Sequence, residues 1–136
     1  MNRSAGSLDT NAVLRLLLND IPEQHTAVLS LIEKSSASLS VADIAIVEVV
    51  FALERYYRFS RSQVVEAIDG LSSLPAINCN RALFDKALPS FALHPNLSFE
   101  DCCLVAYAEL QDAAPLWTFD KKLATKMGGA KLLAAS

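Results

Sequence analysis

Ser7-Leu8-Asp9-Thr10-Asn11 ends a short, weakly apolar segment in a carboxylate and opens a long amphipathic pattern at the next residue. An acid at such a junction caps the helix that follows, its oxygen accepting one of the backbone N–H groups that a first turn leaves without a partner. The same order of strand, acid and helix also delivers a carboxylate to the edge of a parallel sheet, where ligands gather beyond the carboxyl ends of the strands. Taken alone, the stretch supports both readings. The rest of the chain is therefore read for acids that would meet Asp9.

Outward from this junction, strands and helices alternate. Ala5 to Leu8 reads as a weak strand, because Gly6 and two serines stand where β-branched residues are favoured. From Asn11, the apolar positions Val13, Leu14, Leu17 and Leu18 recur at helical spacing until Asn19-Asp20-Ile21-Pro22 breaks the run. A second helix is expected from Glu23 to Lys34, with Ala27, Val28, Leu31 and Ile32 inward, followed by a serine-rich turn and a short strand at Leu39-Ser40-Val41.

Val41-Ala42-Asp43-Ile44-Ala45-Ile46-Val47-Glu48-Val49-Val50-Phe51-Ala52-Leu53 comes next. Drawn as a helix it is apolar almost all round, which predicts a helix buried beneath other elements, with Asp43 as its cap. Glu48 lies in the middle of the run. A buried ionised carboxylate is destabilising by several kcal/mol unless paired or metal-bound, so Glu48 needs a partner: an arginine, a proton or a cation. Glu54, among Arg55, Tyr56 and Tyr57, reads as a solvated position.

Beyond Phe59, Ser60 caps a helix expected from Arg61 to Leu71, with Val64, Val65, Ile68 and Leu71 inward. Pro75 to Asn78 is a brief extended segment, and Arg81 to Ala92 is helical in pattern, with Pro89 expected to bend or end it. Leu97 to Ala108 starts another buried helix; Ser98 and Asp101 stand at capping-box spacing. Glu100 points about 100° away from Asp101, so one of the two faces a given site. Asp101 is the better candidate, because Cys102 and Ala106 are small and let the helix start approach another backbone. Leu116 to Phe119 reads as a buried strand, and Thr118-Phe119-Asp120 repeats the opening order of strand, acid and helix. Gly128-Gly129 turns the chain into a last strand from Ala130 to Leu133.

The alternation predicts an α/β, three-layer domain with a short, mainly parallel sheet flanked by helices. Without a repeat or linker, residues 1–136 are expected to form a single domain. Asp9 and Asp120 would lie together as ends of neighbouring parallel strands, with Glu48 and Asp101 able to reach the same edge. Four carboxylates in one place would repel unless they surround divalent cations, and oxygen-only donors favour Mg²⁺ or Mn²⁺.

Composition agrees with this. The chain is 52% hydrophobic with net charge −3, so it does not hold nucleic acid by bulk positive potential; a carboxylate site working through metal ions contributes that charge itself. The three cysteines, Cys79, Cys102 and Cys103, lack metal or redox spacing and read as reduced structural thiols. His25 and His94 read as ordinary polar positions. No run is long and apolar enough for a bilayer and the start does not resemble a signal peptide, so no membrane association and a cytoplasmic location are expected.

The strand-LDTN-helix opening, the Glu inside VADIAIVEVVFALE, the FEDCCLVAYA helix entry and the late LWTFDKKLA segment, in that order, resemble the PIN-domain ribonucleases. The length and the RYYRFSRSQ stretch resemble most the VapC type of bacterial toxin. The resemblance implies a PIN fold, Mg²⁺- or Mn²⁺-dependent endoribonuclease activity on RNA, inhibition by a cognate antitoxin, and a homodimer. It places the acidic, metal-holding site on Asp9, Glu48, Asp101 and Asp120, with Thr10, Asn11 and Thr118 in support. Arg55, Arg58, Arg61, Lys121 and Lys122 are candidates for RNA backbone contacts. Phe51, Tyr56, Tyr57 and Phe59 are candidates for the antitoxin or dimer interface, with core packing the expected role of Phe51. The polar, small opening from Asn2 to Ser7 departs from the family's Val-, Ile- and Leu-rich first strand. Two other classes remain: another Mg²⁺-dependent α/β nuclease or phosphatase, although the Asp-x-Asp pattern of some such phosphatases is missing after Asp9, and a non-catalytic PIN-like interaction module.

Overall fold

A computed structural model describes residues 4–134. The chain divides between Asn80 and Arg81 into two compact units.

In the first unit, β1 (Ser4–Ser7), β2 (Ser38–Ser40) and β3 (Ile77–Asn78) form a parallel sheet in that order. Parallel neighbours need long crossovers, and helices supply them. The β1–β2 connection is α1 (Thr10–Leu17) and α2 (Pro22–Lys34); the β2–β3 connection is α3 (Asp43–Arg55) and α4 (Arg61–Ser72). All four β1 residues are exposed, which accounts for their polar composition. Its register with β2 shifts between Ser4 and Ser7, where Gly6 adopts φ +126°, a conformation open chiefly to glycine. Pairing nevertheless continues to the junction, because the Leu8 N–H donates to the Ser40 carbonyl at 2.9 Å. Leu8 is buried, so the next residue, Asp9, leaves the sheet from an anchored position.

The core of this unit is aliphatic. Leu39 of β2, Ile46, Val49, Val50 and Leu53 of α3, and Val64, Ile68 and Leu71 of α4 are all buried. Positions 46, 49, 50 and 53 follow the i, i+3, i+4, i+7 stripe of an amphipathic helix. At about 100° per residue, Ile44, Glu48 and Phe51 fall on the opposite side of α3, and all three are exposed. The all-round burial expected of α3 is therefore corrected: the outward stripe happens to carry apolar side chains, which conceals the helix's two-sidedness in the sequence. Asp43 is also not the cap. Ala42 holds that position, while Asp43 lies in the first turn and accepts from Asn80 Nδ2 at 3.2 Å. In α2 only Val28 is buried, and Ala27 and Leu31 face solvent, contrary to expectation. The start of α4 is as expected: Ser60 Oγ accepts from the Gln63 N–H and Gln63 Oε1 accepts from the Ser60 N–H, a complete capping box.

The second unit pairs α5 (Arg81–Leu93) with α6 (Phe99–Leu110), followed by β4 (Leu116–Thr118), α7 (Lys121–Lys126) and β5 (Ala130–Leu132). Its core is aromatic. Phe99 lies edge-on to Phe91 at a centroid distance of 5.4 Å and stacks with Phe84 at 6.1 Å. Pro89 neither ends nor splits α5. The carbonyl deprived of a donor is that of Asp85, an exposed residue open to water, while Phe84, Ala87, Leu88 and Phe91 hold the helix by burial. β4 and β5 form their own parallel ladder, with Leu116 opposite Ala130, Trp117 opposite Lys131 and Thr118 opposite Leu132. Gly129 lets β5 pass close to α6, since a Cβ there would lie 2.7 Å from Glu109 Oε1 and 3.0 Å from Val105 Cγ1. One expectation changes here: β4 is not buried, Trp117 and Phe119 being exposed.

Candidate functional site

Each candidate acid is held at a helix start or beside one. Asp9 is the N-cap of α1, its Oδ1 accepting from the Ala12 N–H at 2.8 Å. The cap occupies one carboxylate oxygen in an exposed side chain. The next residue, Thr10, donates its hydroxyl to Glu48 Oε2 at 3.1 Å. One peptide thus links the strand-end acid to the acid of α3, so Asp9 and Glu48 stand on either side of a single threonine. Glu48 is exposed, so the burial expected of it, and the penalty that goes with burial, do not arise; its partner is the Thr10 hydroxyl.

Beside these residues opens a cavity of about 390 Å³, lined by Thr10, Asn11, Leu14, Arg15, Glu48, Phe51, Ala52, Tyr56 and Tyr57. Asn11 lines it from α1. At one wall Arg15 Nη1 lies 3.4 Å from Asp20 Oδ2, Arg15 Nη2 donates to Tyr57 Oη at 2.8 Å, and Tyr57 Oη donates to Asp20 Oδ2 at 3.2 Å. This closed triangle fixes the wall, and sequence reasoning missed it, because Tyr57 lies far along the chain from Arg15 and Asp20. His25 Nδ1 lies 2.8 Å from the Arg15 carbonyl; a carbonyl only accepts, so this nitrogen carries the proton, in a structural role as expected. Phe51 is a second correction: 59% exposed and edge-on to Tyr56, it rims the cavity instead of packing in the core.

In the second unit, Asp120 is the N-cap of α7 and accepts from the Leu123 N–H at 3.1 Å, while its own N–H donates to Thr118 Oγ1 at 2.9 Å. Thr118 thus orients the backbone of the acid two residues on. Asp101 sits half-buried in the first turn of α6, its N–H donating to the Ser98 cap at 3.1 Å, and Cys102 and Ala106 beyond it are buried. All three cysteines are thiols, as expected. Within its own unit each acid-bearing junction brings one threonine to one acid. Among the described residues no three His, Cys, Asp or Glu side chains gather into a metal-holding group. The donor chemistry itself, carboxylate oxygens with hydroxyls and an amide beside them, fits a hard divalent cation. Among the described residues no helix is long and apolar enough to cross a membrane.

Short parallel ladders joined by helices, with acids capping the helices that leave the strands, define an α/β domain of carboxylate-bearing type. The model of the PIN domain family matches residues 7–127, and the chain belongs to that family. PIN domains are a nuclease superfamily, and the α/β fold with short parallel sheets is the one expected from the sequence. No curated protein matches the chain.

Proposed function

We propose that the protein is a metal-dependent endoribonuclease, the toxin of a toxin–antitoxin pair, which hydrolyses RNA phosphodiester bonds with Asp9, Glu48, Asp101 and Asp120. The observation that carries this reading is the Thr10–Glu48 hydrogen bond: it ties the acid of α3 to the strand-end acid in a chain whose family is one of nucleases. The family match runs through both units, which supports reading residues 1–136 as one domain.

Asp9 and Asp101 would be direct ligands of Mg²⁺ or Mn²⁺, with Glu48 and Asp120 direct or through water. When bound, such an ion lowers the pKa of a water for in-line attack and neutralises charge on the phosphate and the leaving oxygen. The protein's own part is orientation. The Ala12 N–H holds one oxygen of Asp9 and leaves the other open, Thr10 fixes the Glu48 carboxylate, and Thr118 fixes the backbone of Asp120. Asn11 would hold a water or a substrate group in the cavity.

An antitoxin and a second copy of the chain are the expected partners. The outward stripe of α3, Ile44 with Phe51, and the neighbouring Tyr56 are exposed apolar groups suited to such an interface. The same stripe favours the second reading, a non-catalytic interaction module. Incubating structured and unstructured RNAs with the protein, with Mn²⁺ and then with EDTA, separates the two. Cleavage that needs metal and disappears in folded Asp9→Asn supports the nuclease; cleavage of no RNA supports the module.

A further inference from the structure

We propose that the exposed face of β4 and β5 is a platform for unpaired RNA, on which Trp117 and Phe119 stack bases while Lys121, Lys122 and Lys131 hold phosphates. The inference rests on the ribonuclease reading for the identity of the ligand, and it deepens that reading by assigning a surface, apart from the four acids, that holds the strand.

Trp117 is 56% and Phe119 68% exposed, although a strand of this composition is ordinarily covered. Trp117 stands in β4 and Phe119 at the bend that follows Thr118, so the two rings leave the backbone within about 7 Å of chain, a reach that gives successive bases a ring each. In register with Trp117 on the neighbouring strand is Lys131, and paired residues of a parallel ladder project to the same face. Lys121 and Lys122 follow Asp120 directly.

Charge then selects the occupant. From Leu116 to Leu132 the chain carries four lysines and one acid, against a net charge of −3 for the whole sequence. All four lysines are exposed, and among the described residues none of them is in an ion pair. Exposed aromatics among unpaired cations suit a polyanion whose monomers have π-faces, and a single strand offers both; in a duplex the faces are already stacked on one another. Asp120 lies between Phe119 and Lys121, so a strand held by both passes the last of the proposed catalytic acids.

Trp117 is the only tryptophan of the chain, so its fluorescence reports this face alone. The full-length protein, in EDTA to prevent cleavage, is titrated with a short unstructured RNA oligonucleotide and with the same oligonucleotide annealed to its complement. The single strand is expected to quench Trp117 and the duplex to bind more weakly without quenching. Phe119→Ala, at an exposed position, is expected to leave the melting temperature unchanged and to weaken single-strand binding about 5- to 150-fold, as loss of one stacked base does. Lys131→Ala is expected to flatten the dependence of log Kobs on log salt by about 0.7. Binding with Trp117 emission unchanged, or equal binding of both RNA forms, overturns the platform; metal-dependent cleavage alongside that result leaves the nuclease standing. Neither binding nor cleavage overturns both. A shift in Trp117 emission with protein concentration and no RNA, unaffected by RNA, assigns the face to a second copy and also overturns the proposal.

Discussion

The two strand–acid–helix junctions share one cap and differ in what their threonines do. At Leu8-Asp9-Thr10 the threonine follows the acid, and its hydroxyl donates to a second acid, Glu48. At Thr118-Phe119-Asp120 it precedes the acid and accepts from that acid's own N–H. The first threonine joins two elements, α1 and α3; the second stiffens a single turn. The difference teaches that a repeated local pattern fixes where a carboxylate leaves the sheet, while its neighbours decide whether it works alone or with another acid.

The largest expected effect tests what the junctions have in common. Asp9→Asn and Asp120→Asn keep a good capping residue, so both proteins should melt within about 1 kcal/mol of the parent, whereas metal-dependent RNA cleavage should fall to background in each. Full activity in either variant removes that acid from the site. Next come the threonines, where the junctions should diverge. Thr10→Val leaves Glu48 without its donor and is expected to lower cleavage about 10–100-fold, as loss of a group orienting a metal ligand does. Thr10→Ser, which keeps the hydroxyl, should restore it. Thr118→Val removes an acceptor from a solvent-accessible turn, so a smaller loss is expected; equal losses would show that the two hydroxyls do the same work. The smallest effect is thermodynamic: Asp9→Ala and Asp120→Ala each remove a cap, and thermal or denaturant melts should record about 1 kcal/mol of destabilisation.

Both junctions are legible in the sequence, because an acid between a strand and an apolar-periodic run obeys local rules. The elements between them follow for the same reason, and Ser60 with Gln63 forms the expected box. What the sequence conceals is coverage. An apolar residue reads as buried whether or not something lies over it, so Ile44, Phe51, Trp117 and Phe119 read as interior, and Glu48 among them reads as buried, although all five are exposed. Pro89 is the converse case: a strong local rule yields to the packing of Phe84 and Phe91, and the residue whose carbonyl is freed, Asp85, is an exposed one. Of the candidate site, the cap of Asp9 was readable, but the hydroxyl that joins it to Glu48 depends on how α1 lies against α3.

The way the strands and helices are wired has a kinetic consequence. In the second unit, Phe91 and Phe99 meet across one short loop, so α5 and α6 bring together residues close in the chain. In the first, Ser40 must find Asn78 after two whole helices have been laid down. Closing that long loop is entropically unfavourable before any contact compensates, and such distant pairings slow folding. The amides of α5 and α6 should therefore acquire protection from pulsed hydrogen exchange earlier during refolding than those of β2 and β3. On this timetable the strand that leads to Asp9 is anchored late, after the aromatic hairpin has already formed.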